Sequence, residues 1–505
     1  MRAFRKSVAE PVHTALRESR ALHQPPAADS EAPLALVPRR RAAGAPRQAR
    51  IARLLTGLDR LLGRQLDAIL HQPRFQQLEA SWRGLRRLVD TEATSERRGT
   101  VKIKLLDCSW AELARDLSRA IEFDQSHIFR RLYSDEFDTP GGEPFGVLLG
   151  DYQLCHRPRP GVRSADTTVM AELARVATAA LCPFIAGADA RLLGLDAWSE
   201  LPQPPAPDAL FQQDAYRPWR ALRRDEHSRF IGLVLPRILM RAPWRDDGSR
   251  RDGFRYREAS ETHNAHCWGN AAYAFGAVLI RAFVHSGWFA DIRGAEQPHG
   301  AGGVVADLPR LPFEGDRRGI APRLATELIL DDRSERELSE SGLIALCAQP
   351  GGHRAVFQGN SSLHSPATFG AGIATSNARL SAMIQYMLCV SRFGHYLKLI
   401  GRDKIGSFSN ATDCQRLLQN WLNRYTTAGD NASAALKAKY PLAASRVELR
   451  EQAARPGHYH CVIHLQPHFQ LDQLVSSIRL VTELNVGHPQ HGGPTAASPA
   501  AGKQP

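Results

Sequence analysis

The first long hydrophobic pattern in the chain is helical. From residue 51 to residue 70, leucine and isoleucine recur every three or four positions, which is the spacing of one helix face. Pro73 interrupts this pattern, and a second helix is predicted from Phe75 to Leu88. Helical segments then alternate with short apolar runs to residue 350 or so. Such alternation predicts a layered α/β domain.

Several segments near the start of this domain are assigned from their periods. Val101–Leu106 alternates like a strand, and Trp110–Tyr133 has helical spacing. Phe145–Tyr152 is predicted to be a buried strand. A further helix, Ala171–Leu181, leads into the apolar run Phe184–Ala186. These segments carry the alternation through the first part of the domain.

The pattern changes after residue 364. Residues 365–376 are small and polar and predict a linker. Arg379–Ile400 is predicted to be one long amphipathic helix and Asp413–Tyr425 another. Two strand-like runs, His458–Leu465 and Leu471–Leu484, follow them. The second part of the chain is therefore expected to end in two strands.

These changes predict the domain boundaries. Residues 1–50 are expected to be a flexible, basic, proline-rich leader, with six prolines in the first 48 positions. Residues 51–364 form the first folded domain, residues 365–376 the linker and residues 377–485 the second domain. Residues 486–505 are expected to be a disordered tail.

The two terminal strands have little chain after them with which to pair. A strand with an open edge presents unpaired backbone groups, which leads either to aggregation or to deliberate pairing with another chain. Proteins that assemble by strand addition use the second outcome. The pattern alone leaves both outcomes open.

Charge and cysteine content narrow the class of protein. The chain of 505 residues has a formal net charge of +13, which favours an acidic partner such as nucleic acid. However, residues 1–50 hold ten Arg/Lys against four Asp/Glu, and the remainder mixes both signs. A solvated surface is the better interpretation, because no basic stripe interleaved with aromatic residues is present in the sequence.

The eight cysteines are scattered singly, without a CxxC pair. This usage indicates buried, reduced thiols in a cytoplasmic protein rather than a disulfide framework or a zinc site. No apolar run reaches the length of a membrane span. We therefore expect neither membrane insertion nor a bound cofactor.

The richest candidate for chemistry is a histidine set near the end, His458, His460, His464 and His468. Alternate residues of a strand share a face, so the first three would project together and would suit a metal ion. A solvent-facing polar edge explains the same pattern without any ligand.

Two weaker patterns also involve ligand-type residues. His263 and His266, preceded by Glu258 and Glu261, have a spacing found in metal-binding helices, but HExxH is absent. Residues 300–303, Gly-Ala-Gly-Gly, would cradle an anion, but no Gly-Lys-Ser/Thr follows them. A satisfied surface pair and a tight turn are the simpler interpretations.

Four carboxylates, Glu143, Asp151, Asp225 and Glu226, are candidates for a catalytic pair. Sequence cannot place two of them at the separation that glycoside hydrolysis requires. No Gly-x-Ser-x-Gly elbow is present either. An enzymatic interpretation is left without a motif.

Ordered blocks of unusual residues resemble a known family. They include Trp82-Arg83-Gly84-Leu85, Trp268-Gly269-Asn270-Ala271-Ala272-Tyr273 and Arg402-Asp403-Lys404-Ile405-Gly406-Ser407-Phe408. Further blocks lie at residues 122–126, 141–146, 183–186, 235–237, 292–294, 377–382, 390–398 and 467–472. In this order the blocks resemble the large sheath subunit of the bacterial type VI secretion system, the TssC/VipB family.

The resemblance implies a structural role and no cofactor, catalytic residue or metal. The implied fold is α/β: a contractile tail-sheath-like layered core with long helices and C-terminal strands for β-augmentation between subunits. The implied function is to form heterodimers with a small sheath subunit that polymerise around an inner tube and contract to propel it. A metal-dependent hydrolase that uses the C-terminal histidines is the alternative.

The resemblance also implies partners. These are the small sheath subunit of TssB/VipA type, further copies of the chain, an inner tube protein of Hcp type, a baseplate and an AAA+ unfoldase of ClpV type. The leader departs from the family, which often has an acidic helical segment there, so the unfoldase is the least supported partner. Neither nucleic acid nor insertion into a membrane is implied.

Two sets of residues are assigned from the resemblance. The strand-pairing candidates are Tyr459, Cys461, Ile463, Leu465, Leu474, Ile478 and Leu480. The structural residues of the family motifs are Trp82, Arg83, Trp268, Asn270, Arg293, Arg402 and Asp403.

Overall fold

The computed structural model describes residues 47–485, apart from internal gaps. The gaps are residues 96, 140, 159–163, 201–204, 250–252, 295–301, 306, 310, 312–324, 349–353, 368–371, 404–410, 428–432, 452–457 and 469–477. Nearly all of the predicted leader, the whole predicted tail and Leu474 lie outside the described residues.

A six-stranded sheet forms the centre of the first domain. The strands of this domain are β1 Leu148–Leu154, β2 Phe184–Ala188, β3 Ile231–Leu235, β4 Ile238–Leu239, β5 Trp268–Gly269, β6 Val304–Val305, β7 Ile344–Ala348 and β8 Ala355–Phe357. The spatial order of the large sheet is β1-β2-β3-β7-β8-β6, while β4 and β5 pair separately. The first four strands run parallel, and β8 and β6 complete the sheet antiparallel.

Helices pack on both faces of this sheet. The helices of the first domain are α1 Arg47–Leu70, α2 Pro73–Ala93, α3 Trp110–Arg119, α4 Asp166–Ala179, α5 Pro207–Phe211, α6 Arg217–Arg224, α7 Ala272–Ser286 and α8 Asp332–Glu340, and α1 has no buried residue and lies outside the cores of the sheet. Alternate residues of β2 join different cores: Phe184 packs in the cluster that contains Met170 of α4, and Ile185 in the cluster that contains Phe275 of α7. The fold is therefore a three-layer α/β/α arrangement, and the predicted α/β class is confirmed.

Two assignments in the first domain are wrong. Residues 102–109 are assigned to neither helix nor strand, so the predicted strand Val101–Leu106 does not form. The predicted helix Trp110–Tyr133 ends at Arg119, and a separate helical segment occupies residues 127–137. The Asp116 carboxylate explains the restart, because it accepts hydrogen bonds from the backbone N–H groups of His127 and Ile128, at 3.1 and 3.0 Å.

The second domain combines helices with a small sheet. Its elements are α9 Gly372–Ser381, α10 Ile384–Asp403, α11 Ala411–Asn423, α12 Ala434–Lys439, β9 Leu442–Glu451, β10 His458–Pro467 and β11 Ile478–Asn485. The predicted single helix Arg379–Ile400 is wrong, because α9 and α10 are separated at residues 382–383. Met383 forms a bridge with Ser361 there, and Ile384 N donates to Asn360 O at 2.9 Å. Residues 372–376 of the expected linker are helical.

The three C-terminal strands form one antiparallel sheet in the order β11-β10-β9. Strand β9 was not predicted from the sequence. The sheet packs on α10 and α11 through a core that includes Phe393, Leu418 and Ile463. The chain therefore supplies both neighbours of β10 itself.

Helix α10 belongs to two cores. Ile384 and Leu388, in its first half, pack in the cluster of the large sheet. Phe393 and Leu397, in its second half, pack in the cluster of the C-terminal sheet. No helix in the described part of the chain is long and apolar enough to cross a membrane.

Candidate functional site

The C-terminal histidines are described in part: His464 and His468 are included, whereas the side chains of His458 and His460 lie outside what the structure describes. His464 lies opposite Arg446 of β9 in the strand register, and Arg446 pairs with Glu448 at 3.1 Å. Among the described residues, no group of three or more His, Cys, Asp or Glu side chains is placed to hold a metal. No observation on the described residues supports the hydrolase alternative.

His263 belongs to a buried ion-pair cluster. Its Nε2 lies 2.7 Å from Glu327 Oε1, and its ring stacks on Trp268 with 5.1 Å between centroids. Arg237 donates two hydrogen bonds to the same carboxylate, at 2.6 and 2.5 Å. Burial alone would raise the pKa of Glu327, but the bonds from His263 and Arg237 outweigh it and hold the pKa below its ordinary value.

Glu258 is held in a second cluster, with Arg241 and His71. Arg241 donates to both of its carboxylate oxygens, at 2.5 and 3.0 Å, and His71 Nε2 lies 3.1 Å from Oε1. Arg241 also donates to Glu79 of α2 at 2.7 Å. The cluster fastens α2 to the body of the domain, so the predicted His-Glu pattern is structural and does not converge.

The glycine-rich segment is a tight turn in its described part. Gly302 has φ 75°, and an added Cβ would lie 2.6 Å from Gly294 O. The Gly302 N–H donates to Asp291 at 3.1 Å, and the Gly303 N–H donates to Gly294 O at 2.9 Å. Both amides therefore have protein acceptors and do not face an anion.

Three of the four candidate carboxylates are engaged locally. Glu143 accepts from Lys102 Nζ at 2.5 and 2.6 Å, and Glu226 pairs with Arg229 at 2.8 Å. The Asp225 carboxylate accepts a backbone N–H and begins a short helix. The Asp151 carboxyl is buried, which raises its pKa against the effect of hydrogen bonds from neighbouring side chains. None of these contacts joins two of the four carboxylates.

Asn270 is the motif residue with the clearest role. Its Nδ2 donates to the carbonyls of Gly150 and Tyr152, at 3.2 and 3.1 Å. Its Oδ1 accepts from Ala272 N, at 2.9 Å, in the first turn of α7. One buried side chain therefore joins β1 to the helix that covers it.

The other motif residues of the first domain have packing roles. Arg83 donates to Glu79 at 2.9 Å and lies over the Trp244 ring, at 6.0 Å. Trp82 is 39% exposed. The Arg293 guanidinium lies 3.8 Å from the Met383 sulfur. Arg402 and Asp403 are the last residues of α10, and their side chains lie outside what the structure describes.

The strand-pairing candidates are divided between two strands. Tyr459, Cys461, Ile463 and Leu465 lie on β10, which is paired on both edges within the chain. The last three are also fully buried. The expectation that this strand has an open edge is therefore wrong, because the unpredicted β9 occupies it.

The outer edge of β9 is covered by a side chain of α11. Gln419 Oε1 accepts from Val447 N at 2.9 Å, and its Nε2 donates to Ser445 O at 3.0 Å. This amide side chain takes the place of a neighbouring strand at two positions of the edge. Covering these two positions opposes pairing with a further strand at this part of the edge.

The outer edge of β11 has no strand partner among the described residues. The Val447 N–H donates to Gln419 and therefore points away from β10. Val447 is the register partner of Ile463, so the two are a non-hydrogen-bonded pair, and the backbone N–H and C=O of Ile463 point toward β11. Ile463 lies opposite Leu480, whose own groups therefore face inward. Val481 must then present its backbone groups at the open edge.

Helix α1 carries an apolar stripe that no described part of the domain covers. None of its described residues is buried. Its C-terminal turn is anchored by Asp67, which accepts from Tyr256 Oη at 2.6 Å. The exposed residues of the stripe recur with coiled-coil spacing: Ile51 49%, Leu54 48%, Leu55 56%, Leu58 51%, Leu61 38% and Leu62 40%.

The helix was predicted from the sequence, but the exposure of this stripe was not. Periodicity reports that a face is apolar and does not report what covers it. The signal that would have identified the stripe is an apolar seam with coiled-coil spacing from Ile51 to Leu70. The polar positions beside the stripe include more arginines than aspartates: Arg50, Arg53, Arg60 and Arg64 compared with Asp59 and Asp67. The stripe is therefore bordered by a basic surface.

Comparison with known proteins identifies the family. The sequence matches two family models: EvpB/VC_A0108, tail sheath N-terminal domain (VipB), at residues 52–364, and EvpB/VC_A0108, tail sheath gpW/gp25-like domain (VipB_2), at residues 373–484. A chain of the anti-feeding prophage baseplate covers 79% of this chain and 84% of its own length at 10% identity, with a TM-score of 0.33, too low to carry an argument.

A curated relative matches over most of both chains. It is the type VI secretion system sheath protein TssC1 of Pseudomonas aeruginosa, 38% identical over 440 residues, which are 86% of this chain and 86% of the relative. The chain therefore belongs to the TssC/VipB family of type VI secretion sheath proteins, as the resemblance in its motifs predicted.

Proposed function

We propose that the chain is the wall-forming large subunit of a contractile sheath in the cytoplasm. It pairs with a small sheath subunit of TssB/VipA type, and the heterodimers polymerise helically around an inner tube of Hcp type. Contraction of this sheath propels the tube. A baseplate would start the assembly, and an unfoldase of ClpV type would recycle it.

The observation that carries the proposal is the apolar stripe of α1. Full burial of a leucine side chain contributes about 1.5–3 kcal/mol, so a helix that exposes six large apolar side chains gains substantially from a partner. The coiled-coil spacing suits another helix, and the basic flank favours an acidic one. Such a helix is the occupant we propose for the small subunit.

The open edge of β11 supports the further step from heterodimer to polymer. Strand addition supplies directional backbone hydrogen bonds, and these persist while the bodies of the subunits rotate. Gln419 restricts this growth to one side of the sheet, because it covers part of the β9 edge. The sheet can therefore extend toward a neighbour in one direction.

The polar clusters support a structural rather than a catalytic role. Glu258 and Glu327 are held by arginine and histidine side chains, and Asp151 by uncharged donors. In a sheath the work of contraction would be stored in contacts between subunits, so no catalytic centre is needed.

The domain boundaries are proposed as predicted, with a first domain at residues 51–364 and a second at residues 377–485. The two matched family models, at residues 52–364 and 373–484, support this division.

Co-expression with the small sheath subunit tests the proposal. We expect tubules by negative-stain electron microscopy when both chains are present and none with either chain alone. A monomer that does not co-purify with the small subunit would contradict it.

A point substitution tests the stripe itself. Leu58 is 51% exposed, so Leu58→Asp should leave the fold intact and weaken heterodimer formation at least ~10-fold, which corresponds to ~1.4 kcal/mol. Thr56→Asp, on the opposite face of α1, is the matched control and should bind like the wild type. Equal affinities of the two variants would exclude the stripe as the interface.

A further inference from the structure

Helix α1 is attached to the rest of the domain near its C-terminal end. In the described part of the chain, Asp67 is the one residue of α1 whose side chain hydrogen-bonds outside the helix. Its Oδ1 accepts from Tyr256 Oη at 2.6 Å and from Ala259 N at 3.2 Å. The exposed residues of the stripe, from Ile51 to Leu62, all precede this anchor in the helix.

The short segment that holds Asp67 also holds the corner between α1 and α2. His71 lies one turn after Asp67, and its Nε2 is 3.1 Å from Glu258 Oε1. Glu258 lies between Tyr256 and Ala259 in the sequence, so both attachments are made by residues 256–259. Two attachments one turn apart fix the direction in which α1 leaves the domain as well as its position.

Residues 256–259 are themselves firmly held. Glu258 N donates to Trp244 O at 2.9 Å, and Trp244 N donates to the Glu258 carboxylate at 2.8 Å. The Glu258 side chain is buried, and Arg241 donates to both of its oxygens. The anchor of α1 is therefore joined to the ion-pair cluster that fastens α2.

The hydrogen bond between Tyr256 and Asp67 is of a strong kind. A hydroxyl that donates to a carboxylate makes a charge-assisted bond, which is shorter and stronger than a bond between neutral groups. Partial burial and the neighbouring Asp67 carboxylate raise the pKa of Tyr256. The hydroxyl therefore keeps its proton and remains a donor at neutral pH.

A small change at this anchor becomes a large displacement at the stripe. The helix between Ile51 and Asp67 is about 24 Å long, at 1.5 Å per residue. A rotation of ~10° at the anchor would move its far end by ~4 Å over that length. Coiled-coil packing places each apolar side chain in a hole of the partner helix, so such a displacement would misalign the seam.

We propose that Asp67 and Tyr256 are positioning residues for the interface with the small subunit. They fix the direction of α1 in the free chain, so the stripe docks without the entropic cost of ordering a mobile helix. The inference rests on the proposed function and adds to it two residues outside the stripe that control the affinity of the interface.

Pulsed electron paramagnetic resonance on the isolated full-length chain tests the direction of α1. Spin labels are placed at Thr56→Cys on α1 and Arg336→Cys on α8, both exposed, in a Cys108→Ser background whose other native cysteines are buried. We expect one narrow distance distribution for the wild type and for Asp67→Asn, which keeps the Oδ1 acceptor. Asp67→Ala and Tyr256→Phe should give broader distributions, and equal widths in all four proteins would overturn the inference.

Affinity for the small subunit gives a second readout on the same variants. Tyr256→Phe and Asp67→Ala should each weaken binding at least ~5-fold, although neither residue belongs to the stripe, and Asp67→Asn should bind nearly as the wild type does. Asp59→Ala removes the same charge from the same helix and is the control, which should not weaken binding.

The two readouts separate failure of the inference from failure of the proposed function. Variants that broaden the distance distribution but bind like the wild type would overturn the inference and leave the proposed function standing. A wild-type chain that does not bind the small subunit would overturn both.

Discussion

At the scale of single residues, Glu327 shows how a buried charge becomes a contribution to stability. Its side chain is fully buried, and its carboxylate is held by His263 and Arg237. Removing the charge of Glu327 is costly, because Arg237 and His263 then lose their acceptor while they are partly withdrawn from water. The cluster joins the region after β3 to the turn before β5.

The pKa of Glu327 predicts how this contribution depends on pH. A carboxyl whose folded pKa is lowered stabilises the fold fully above its unfolded pKa, near 4.5, and loses that contribution as the pH falls toward the folded value. Glu327→Gln should therefore be destabilised by about 2–4 kcal/mol at pH 7, and the gap to the wild type should narrow below pH 4.5.

Urea unfolding followed by tryptophan fluorescence at several pH values would measure this gap. Glu261→Gln, at an exposed position, is the control and should follow the wild type throughout. A gap that stays constant down to pH 3 would show that the charge of Glu327 is not what stabilises the cluster.

Residue roles were the least predictable part of the sequence. The family motif singled out Asn270, but its two carbonyl partners lie 120 and 118 positions earlier in the chain. Likewise, the spacing of His263 and His266 suggested ligands, whereas Glu327, the partner of His263, is 64 positions away. Periodicity carries no information about such distant contacts.

At the scale of elements, Gln419 determines which edge of the C-terminal sheet is available. Gln419→Ala should expose the backbone of Ser445 and Val447, so the Val447 amide should exchange faster by ~10-fold, for a loss of about 1.4 kcal/mol in local stability. Exchange measured by mass spectrometry would detect it. Asn420→Ala, exposed on the same helix, should not change this rate, and equal rates in the two variants would rule out the covering role.

Helices and strands were predicted correctly where the local sequence pattern determines them. They were predicted poorly where pairing with a distant part of the chain determines them. The helical period correctly placed α1, α2 and α11, and apolar runs placed β2 and β10. The segment 101–106 has the period of a strand but forms none, because no described strand pairs with it. The helix break at residues 382–383 depends on contacts with Asn360 and Ser361, which no local pattern reveals.

At the scale of the whole molecule, the open edge of β11 is tested by two neighbouring prolines. Proline removes a backbone N–H. Val481→Pro removes an outward-facing donor and should leave the fold intact while abolishing tubules in co-expression. Leu480→Pro removes an inward-facing donor to β10 and should also lower the melting temperature of the isolated chain.

Electron microscopy and thermal unfolding together distinguish these outcomes. Normal tubules from Val481→Pro would contradict growth through this edge. Deleting residues 457–484 would be a poorer test of this edge, because it removes Cys461, Ile463 and Leu465 from the core of the second domain.

Helix α10 has a mechanical consequence for such an assembly. Its 20 residues make a rod about 30 Å long, with one end set in the large α/β body and the other in the C-terminal sheet. A force on a strand paired with β11 would be transmitted through α10 and would exert a torque on the large α/β body. Each molecule would then rotate as one solid part, and the sheath would shorten through the joints between molecules.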